Sequence, residues 1–151
     1  MQRILVAIDF SDVTDSVISE AVKLKKVFGA QLFIMHTEPP ENYIIAEDFT
    51  YDYVSNIRRT VEADKKYLMK IRDRLADENI DVECTLVEGP VAETIIEQAD
   101  ECKADLIVIG SHEHGHLYHL VFGSVRDSVL HKSKCPVLVV PLSAIIEPAA
   151  E

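Results

Sequence analysis

The feature that most constrains this chain is a regular alternation of short apolar segments with longer segments whose apolar residues recur at helical spacing. The apolar segments read RILVAI, QLFIMHT, ADLIVIG and CPVLVVP, and a further segment, DVECTLVEG, alternates apolar with polar residues like a strand with one face in water. Continuous apolar strands that alternate with amphipathic helices predict a parallel sheet covered by helices on both faces. Because crossovers between parallel strands are right-handed, the chain winds outward and then reverses, and we expect a doubly wound α/β sheet. If the first three strands wind in one direction and the last two in the other, the strand order is 3-2-1-4-5.

The helices are predicted from apolar periodicity and from the residues at their ends. The first is expected to begin at Ser11 and Asp12 and to end at Gly29, which suits a left-handed terminal residue. A long charged helix is predicted over residues 52–78, and a third begins near Pro90. A fourth covers residues 124–132, which completes the order β-α-β-α-β-α-β-α-β.

Length and composition limit the class of protein. The 151 residues suit one domain, assigned to residues 1–142 with a tail over residues 143–151. The apolar runs are too short to cross a bilayer, and the first residues lack the pattern of a secretion signal, so no membrane association is expected. A net charge of −11 disfavours nucleic-acid binding. The three cysteines form no zinc or disulfide pattern, which indicates reduced thiols and a cytoplasmic location.

A ligand site is predicted where the winding of the sheet reverses, at the carboxyl ends of the first and fourth strands. Asp9 follows the first strand and Gly110-Ser111-His112 the fourth, while Gly123-Ser124 opens the next helix. Glycine permits close approach of a phosphate, and a helix N-terminus favours an anion. Turn formation explains Gly110 and Gly123 equally well, and Asp9 alone is typical of a capping residue.

On these residues the sequence resembles the universal stress protein family, from ILVAIDFSD to KCPVLVVP. The ATP-binding members carry the motif G-x2-G-x9-G-[ST]. Gly110 and Gly123-Ser124 match it, but Glu113 replaces its second glycine. The resemblance implies an adenine nucleotide alpha hydrolase-like fold, ATP or another adenine nucleotide bound in some members, and a homodimer formed through the last strand, by Val137, Leu138, Val139 and Val140.

Carried over by position, the resemblance implies a contact set that follows the nucleotide from adenosine to phosphates: Ala7, Ile8, Asp9, Thr37, Ile109, Gly110, Ser111, His112, Gly123, Ser124, Val125 and Arg126. Thr37 would flank the base, and Arg126 would close over the phosphates. The charge of Glu113 would repel the phosphates, and its Cβ would resist a positive φ. A Mg²⁺ ion that bridges Glu113 to the nucleotide would offset the repulsion. We therefore expect an intact adenine end and a weakened phosphate end.

The histidine loop offers a separate possibility. His112, His114 and His116 alternate and could together hold zinc or nickel, although short histidine tracts are also found simply solvated. No catalytic residue is identified, because Ser124 lacks the surrounding pattern of a nucleophile elbow. Three hypotheses remain: a nucleotide-binding stress-response protein with slow ATP hydrolysis at most, a nucleotide-free dimeric interaction module, and a metal-dependent or hydrolytic enzyme.

Overall fold

The computed structural model describes residues 1–38, 51–111 and 125–141, with the backbone alone for residues 51–60. The strands are β1 (Arg3–Ala7), β2 (Gln31–Glu38), β3 (Val82–Glu88), β4 (Leu106–Gly110) and β5 (Val137–Val140). The helices are α1 (Thr14–Phe28), α2 (Tyr51–Asp77), α3 (Val91–Glu101) and, over residues 125–132, α4. The predicted alternation of strands and helices is confirmed.

The strands form one parallel sheet in the order β3-β2-β1-β4-β5, as predicted. The first strand lies at its centre, where Leu5 pairs with Phe33 of β2 and with Ile107 of β4. The chain therefore winds from β1 to β3 in one direction and resumes at β4 on the other side of β1. This reversal brings the carboxyl ends of β1 and β4 together.

Alternation of side chains along the strands divides the interior into two cores. On one face, β1 residues such as Ile4 and Val6 pack with the inward side of α1 and with Leu68 and Ile71 of α2. On the other face, residues such as Leu5 pack with α3 and α4. Both faces are covered, which is why most strands read as continuous apolar runs.

The first helix begins later than predicted. Helical residues start at Thr14, whose N–H donates to the carbonyl of Ser11 at 3.0 Å. The Asp9 carboxylate accepts the N–H of Ser11 at 3.0 Å, and Phe10 between them takes a left-handed φ of 57°. This local turn uses the residues that were expected to cap the helix. At the other end, Gly29 has a φ of 64°, and the predicted left-handed terminus is confirmed.

The structure also tests the bounds predicted for the second helix and the start predicted for the third, whereas the predicted start of the fourth, at 124, lies outside the described residues. The helix predicted over 52–78 is Tyr51–Asp77, and Pro90 directly precedes α3. Within the described parts of the chain, no helix is long and apolar enough to span a membrane.

Candidate functional site

β1 and β4 end side by side, and their carboxyl ends form the rim of the sheet at which the ligand site was predicted. Val6 pairs with Val108, and one step further Ala7 pairs with Met35 of β2. The Ile8 N–H donates to the Met35 carbonyl at 2.9 Å, which continues the pairing beyond the strand. The ends of the three central strands thus meet at one edge of the sheet.

The predicted nucleotide contacts are distributed over both faces of this edge. Ala7, Ile109 and Val125 line the core beneath α3 and α4. Thr37, two residues after Met35, is buried at 8 % exposure. Ile8 belongs to the opposite core, so its side chain lies on the other face of the sheet from the side chain of Ala7.

The phosphate end of the predicted site lies largely outside the described residues. His112, Glu113, Gly123 and Ser124 are outside them, together with the histidine loop at 114 and 116. Ser111 directly follows β4, and its N–H donates to the carbonyl of Val140 at 2.9 Å. In α4, Arg126 is partly exposed, and its Nε lies 3.9 Å from the Asp127 carboxylate.

Gly110 has a packing reason for being glycine. A Cβ at this position would lie 2.4 Å from Cγ1 of Val13 and 3.3 Å from Cγ2 of Val17. Ordinary carbon–carbon contact is about 3.5–4.0 Å, so any side chain would collide with the start of α1. The sequence left turn formation and approach of a phosphate as explanations of Gly110, and this geometry adds a third, close contact between helix and strand, which requires neither of them.

A second polar cluster lies on the α1–α2 face of the same edge. His36 Nε2 is 3.4 Å from Oε1 of Glu38 and 3.6 Å from Oδ2 of Asp64. His36 Nδ1 lies 2.7 Å from the Ile8 carbonyl. Because a carbonyl can only accept, Nδ1 carries the proton that forms this hydrogen bond. The ring also stacks obliquely on Phe10, with centroids 4.3 Å apart.

Glu38 is the most buried acid of this cluster. Its residue exposure is 8 %, and Oε1 has no hydrogen-bond donor among the described residues. Burial and, as a smaller contribution, the neighbouring Asp64 side chain together raise the pKa of the Glu38 carboxyl to about 7. Two carboxylates and an imidazole therefore converge where little water can screen them.

Sequence reasoning missed this cluster, although a signal was present. His36 and Glu38 continue the two-residue alternation of Ile34, so they must lie on the same face of β2. Asp64 stands one helical turn before Leu68, at a position of α2 where an apolar residue would be expected. A polar residue that interrupts each of two apolar stripes was the available indication.

All three cysteines lie among the described residues, and none forms a disulfide. Burial raises the pKa of the Cys84 thiol to about 11. A pocket of about 80 Å³ near Cys135 and Ala104 lies by the amino ends of β4 and β5, away from the rim. That volume holds only a few water molecules and suggests no ligand site.

Comparison with known proteins gives a consistent result. A model of the Universal stress protein family matches residues 1–141. The chain is 31% identical to the stress response protein NhaX of Bacillus subtilis (strain 168), over 91% of this chain and 96% of that protein.

Two solved structures are similar over nearly their full length. One is a universal stress protein in complex with cAMP, with 27% identity, a TM-score of 0.65, and coverage of 94% of this chain and 98% of that one. The other is the universal stress protein from Archaeoglobus fulgidus in complex with dAMP, with 25% identity, a TM-score of 0.64, and coverage of 92% and 97%. The fold is adenine nucleotide alpha hydrolase-like. A family match over almost the whole chain and a sheet in the predicted order lead to one conclusion: the chain belongs to the universal stress protein family.

Proposed function

We propose that this stress-response protein binds an adenine nucleotide at the carboxyl ends of β1 and β4. The observation that carries the proposal is the existence of cAMP and dAMP complexes among similar universal stress proteins. The chain has the same family assignment over residues 1–141, and its sheet reverses direction at this edge. Such a reversal is the general ligand position of doubly wound sheets.

Local geometry at the adenine end supports the proposal. Ala7 is small and only partly buried, and it shares its face with the side chain of Ile109. An apolar surface beside a small residue suits a flat base. Asp9 is exposed two residues after β1, and among the described residues its Oδ1 accepts the N–H of Ser11. Asp9 is therefore positioned to accept a hydrogen bond from a ribose hydroxyl.

Two hydroxyl groups beside this edge add a further reason. Ser11 Oγ and Thr14 Oγ1 are buried and have no hydrogen-bond partner in the described part of the chain. A buried hydroxyl without a partner costs about 1–3 kcal/mol, so a polar group from elsewhere is expected to approach them. A ribose or phosphate oxygen at the loop after β1 would meet this requirement.

The phosphate end is proposed to be weak. Glu113 replaces a glycine of the family motif, and its negative charge would repel phosphates at an intermediate dielectric by about 1 kcal/mol or more. A Mg²⁺ ion between Glu113 and the nucleotide would offset this repulsion. We propose no catalytic residue, and slow hydrolysis of ATP is the most activity that the residues support.

Titration calorimetry with ATP, AMP and adenosine tests the proposal. Wild-type protein should bind all three with similar, weak affinity, and Asp9→Ala should weaken each of them. Glu113→Gly should tighten ATP binding by about five- to thirtyfold, equivalent to about 1–2 kcal/mol, with a smaller gain for adenosine. Glu113→Gln is the matched control, because it removes the charge and keeps the Cβ atom.

Two results would contradict this account. If neither wild type nor Glu113→Gly binds any of the ligands, the rim is not a nucleotide site. If adenosine gains as much as ATP, repulsion of phosphates is not the effect of Glu113.

The second candidate is a nucleotide-free dimeric module, and one observation favours its interface. The edge strand β5 consists only of apolar residues, and Leu138 is 37% exposed. The opposite edge, β3, carries the exposed charges Glu83 and Glu88. An apolar edge strand is normally covered by another element or chain, whereas charged side chains protect an edge strand from pairing with further strands. We therefore propose a homodimer through Val137–Val140, with or without bound nucleotide.

Domain extent and location remain predictions. One domain over residues 1–142 with a tail over 143–151 is consistent with the family match to residues 1–141. The three free thiols support the predicted cytoplasmic location, because oxidising compartments favour disulfides. No nucleic-acid partner is proposed, since the net charge is −11.

A further inference from the structure

We propose that His36, Glu38 and Asp64 form a binding site for a divalent metal ion of the zinc class. The site lies on the α1–α2 face of the sheet, whereas the side chains of Ala7 and Ile109 in the proposed nucleotide site lie on the other face. It also differs in residues from the histidine loop at 112–116. It does not depend on nucleotide binding.

The first argument is the spacing of the ligand atoms. Two ligands at about 2.0–2.1 Å from a tetrahedral Zn²⁺ ion lie about 3.4 Å apart. His36 Nε2 is 3.4 Å from Glu38 Oε1 and 3.6 Å from Asp64 Oδ2. All three atoms lie within 4.8 Å of one another. The Asp64 side chain is 23% exposed, and a bound ion would draw its oxygen closer to that of Glu38.

The second argument is the orientation of the imidazole. Nδ1 donates to the Ile8 carbonyl at 2.7 Å, so in the neutral ring Nε2 presents its lone pair to both carboxylates. Metal-binding histidines commonly donate their other ring N–H to a backbone carbonyl, which fixes the ring and increases its basicity. The Phe10 ring, 4.3 Å away, further restricts the imidazole.

The third argument is that a buried oxygen lacks a partner. Glu38 is more than nine-tenths buried, and Oε1 receives no hydrogen bond from the described residues. This oxygen is directed towards Nε2 of His36 and towards Asp64, so three electron-rich atoms converge. A cation between them would satisfy all three at once.

The ligand set also selects the class of metal. One imidazole nitrogen and two carboxylate oxygens suit Zn²⁺, with Co²⁺ and Ni²⁺ as related ions, better than Mg²⁺ or Ca²⁺, which prefer oxygen alone. Three protein ligands leave one tetrahedral position for water. The ion would join the end of β2 to α2 and, through Nδ1, to the end of β1.

The competing explanation of this cluster is that a proton, in place of a metal ion, lies between the three side chains. A doubly protonated imidazole would donate from Nε2 to one carboxylate, or Glu38, whose pKa is raised to about 7, would hold a proton itself. This account predicts no specific affinity for Zn²⁺. The two accounts therefore differ in a direct measurement.

The test uses the full chain after removal of metal with a chelator. Zn²⁺ is titrated by calorimetry, and Co²⁺ is followed by the intense visible absorption that tetrahedral coordination produces. Wild type should bind one equivalent and should melt at a higher temperature with Zn²⁺ present. Glu38→Gln and Asp64→Asn keep side-chain size, and each should weaken binding at least about tenfold and remove the cobalt absorption.

Two control variants identify the site. Asp73→Asn removes another acid of α2, whose side chain is 66% exposed and contacts Arg72, and should bind as wild type does. A triple variant with glutamine at 112, 114 and 116 should also retain the ion. The proposal is overturned if wild type does not bind Zn²⁺ at micromolar concentration. It is also overturned if both acid variants bind as wild type does, or if the triple variant alone loses binding.

Discussion

Replacing Gly110 by alanine tests why this position is glycine. The added Cβ would lie 2.4 Å from Cγ1 of Val13, which is buried at 2% exposure, and 3.3 Å from Val17. Gly110 has no positive φ, so the cost comes from overlap rather than from backbone conformation. Overpacking of this kind costs about 1–3 kcal/mol. Because both contacts are with α1 residues in a packed core, we expect about 2 kcal/mol.

A double-mutant cycle isolates the overlap. Val13→Ala alone should cost about 2 kcal/mol, since two buried methyl groups are lost. In the double variant Val13→Ala/Gly110→Ala, the loss of stability should be about 1–2 kcal/mol smaller than the sum of the two single losses. The reason is that the new Cβ at position 110 occupies part of the space that the Val13 side chain vacated. Urea unfolding followed by circular dichroism measures the free energies. The packing explanation is refuted if Gly110→Ala changes stability by less than about 0.5 kcal/mol but abolishes ATP binding.

Three further predictions follow from other parts of the molecule. The Asp105 carboxylate accepts the N–H groups of Gln2 and Arg3 at 2.6 and 2.9 Å, and these bonds lower its pKa. This stabilisation is present above pH 3.8, the pKa of the group in the unfolded chain, and is lost as pH falls below the lowered folded pKa. Asp105→Asn should therefore lower the free energy of unfolding at neutral pH, and the stabilities of the two proteins should converge in acid. A difference in stability that stays constant with pH would contradict this prediction. Leu138→Lys should produce a monomer in sedimentation, whereas Leu130→Lys, at another exposed leucine, should remain dimeric. With a pKa of about 11, Cys84 should react with iodoacetamide far more slowly in native than in urea-unfolded protein, and equal rates would disprove its burial.

The sequence by itself determined the elements and their arrangement. Short apolar runs and period-3.6 patterns are local, so RILVAI and ADLIVIG could be assigned as buried strands without knowledge of their neighbours. The handedness of crossovers then predicted a doubly wound sheet, and a reversal of the winding after the third strand leads to the observed order, with β1 and β4 adjacent. The rim at the ends of these strands followed from that order alone.

The start of α1 was not predictable to the residue. Ser11 and Asp12 have the composition of a helix start, but the Asp9 carboxylate takes the Ser11 N–H and moves the first helical residue to Thr14. A capping side chain can serve either the helix or the turn before it, and sequence does not distinguish the two.

Only the tertiary structure decided the role of Gly110 and the existence of the polar cluster. Gly110 is explained by Val13, which belongs to a different element, and no local pattern reports that distance. His36 and Glu38 are far from Asp64 in sequence, and they adjoin it because α2 packs on the face of the sheet that carries both of them. Periodicity fixes which face a side chain occupies, but the partner that it meets there depends on the packing of one element against another.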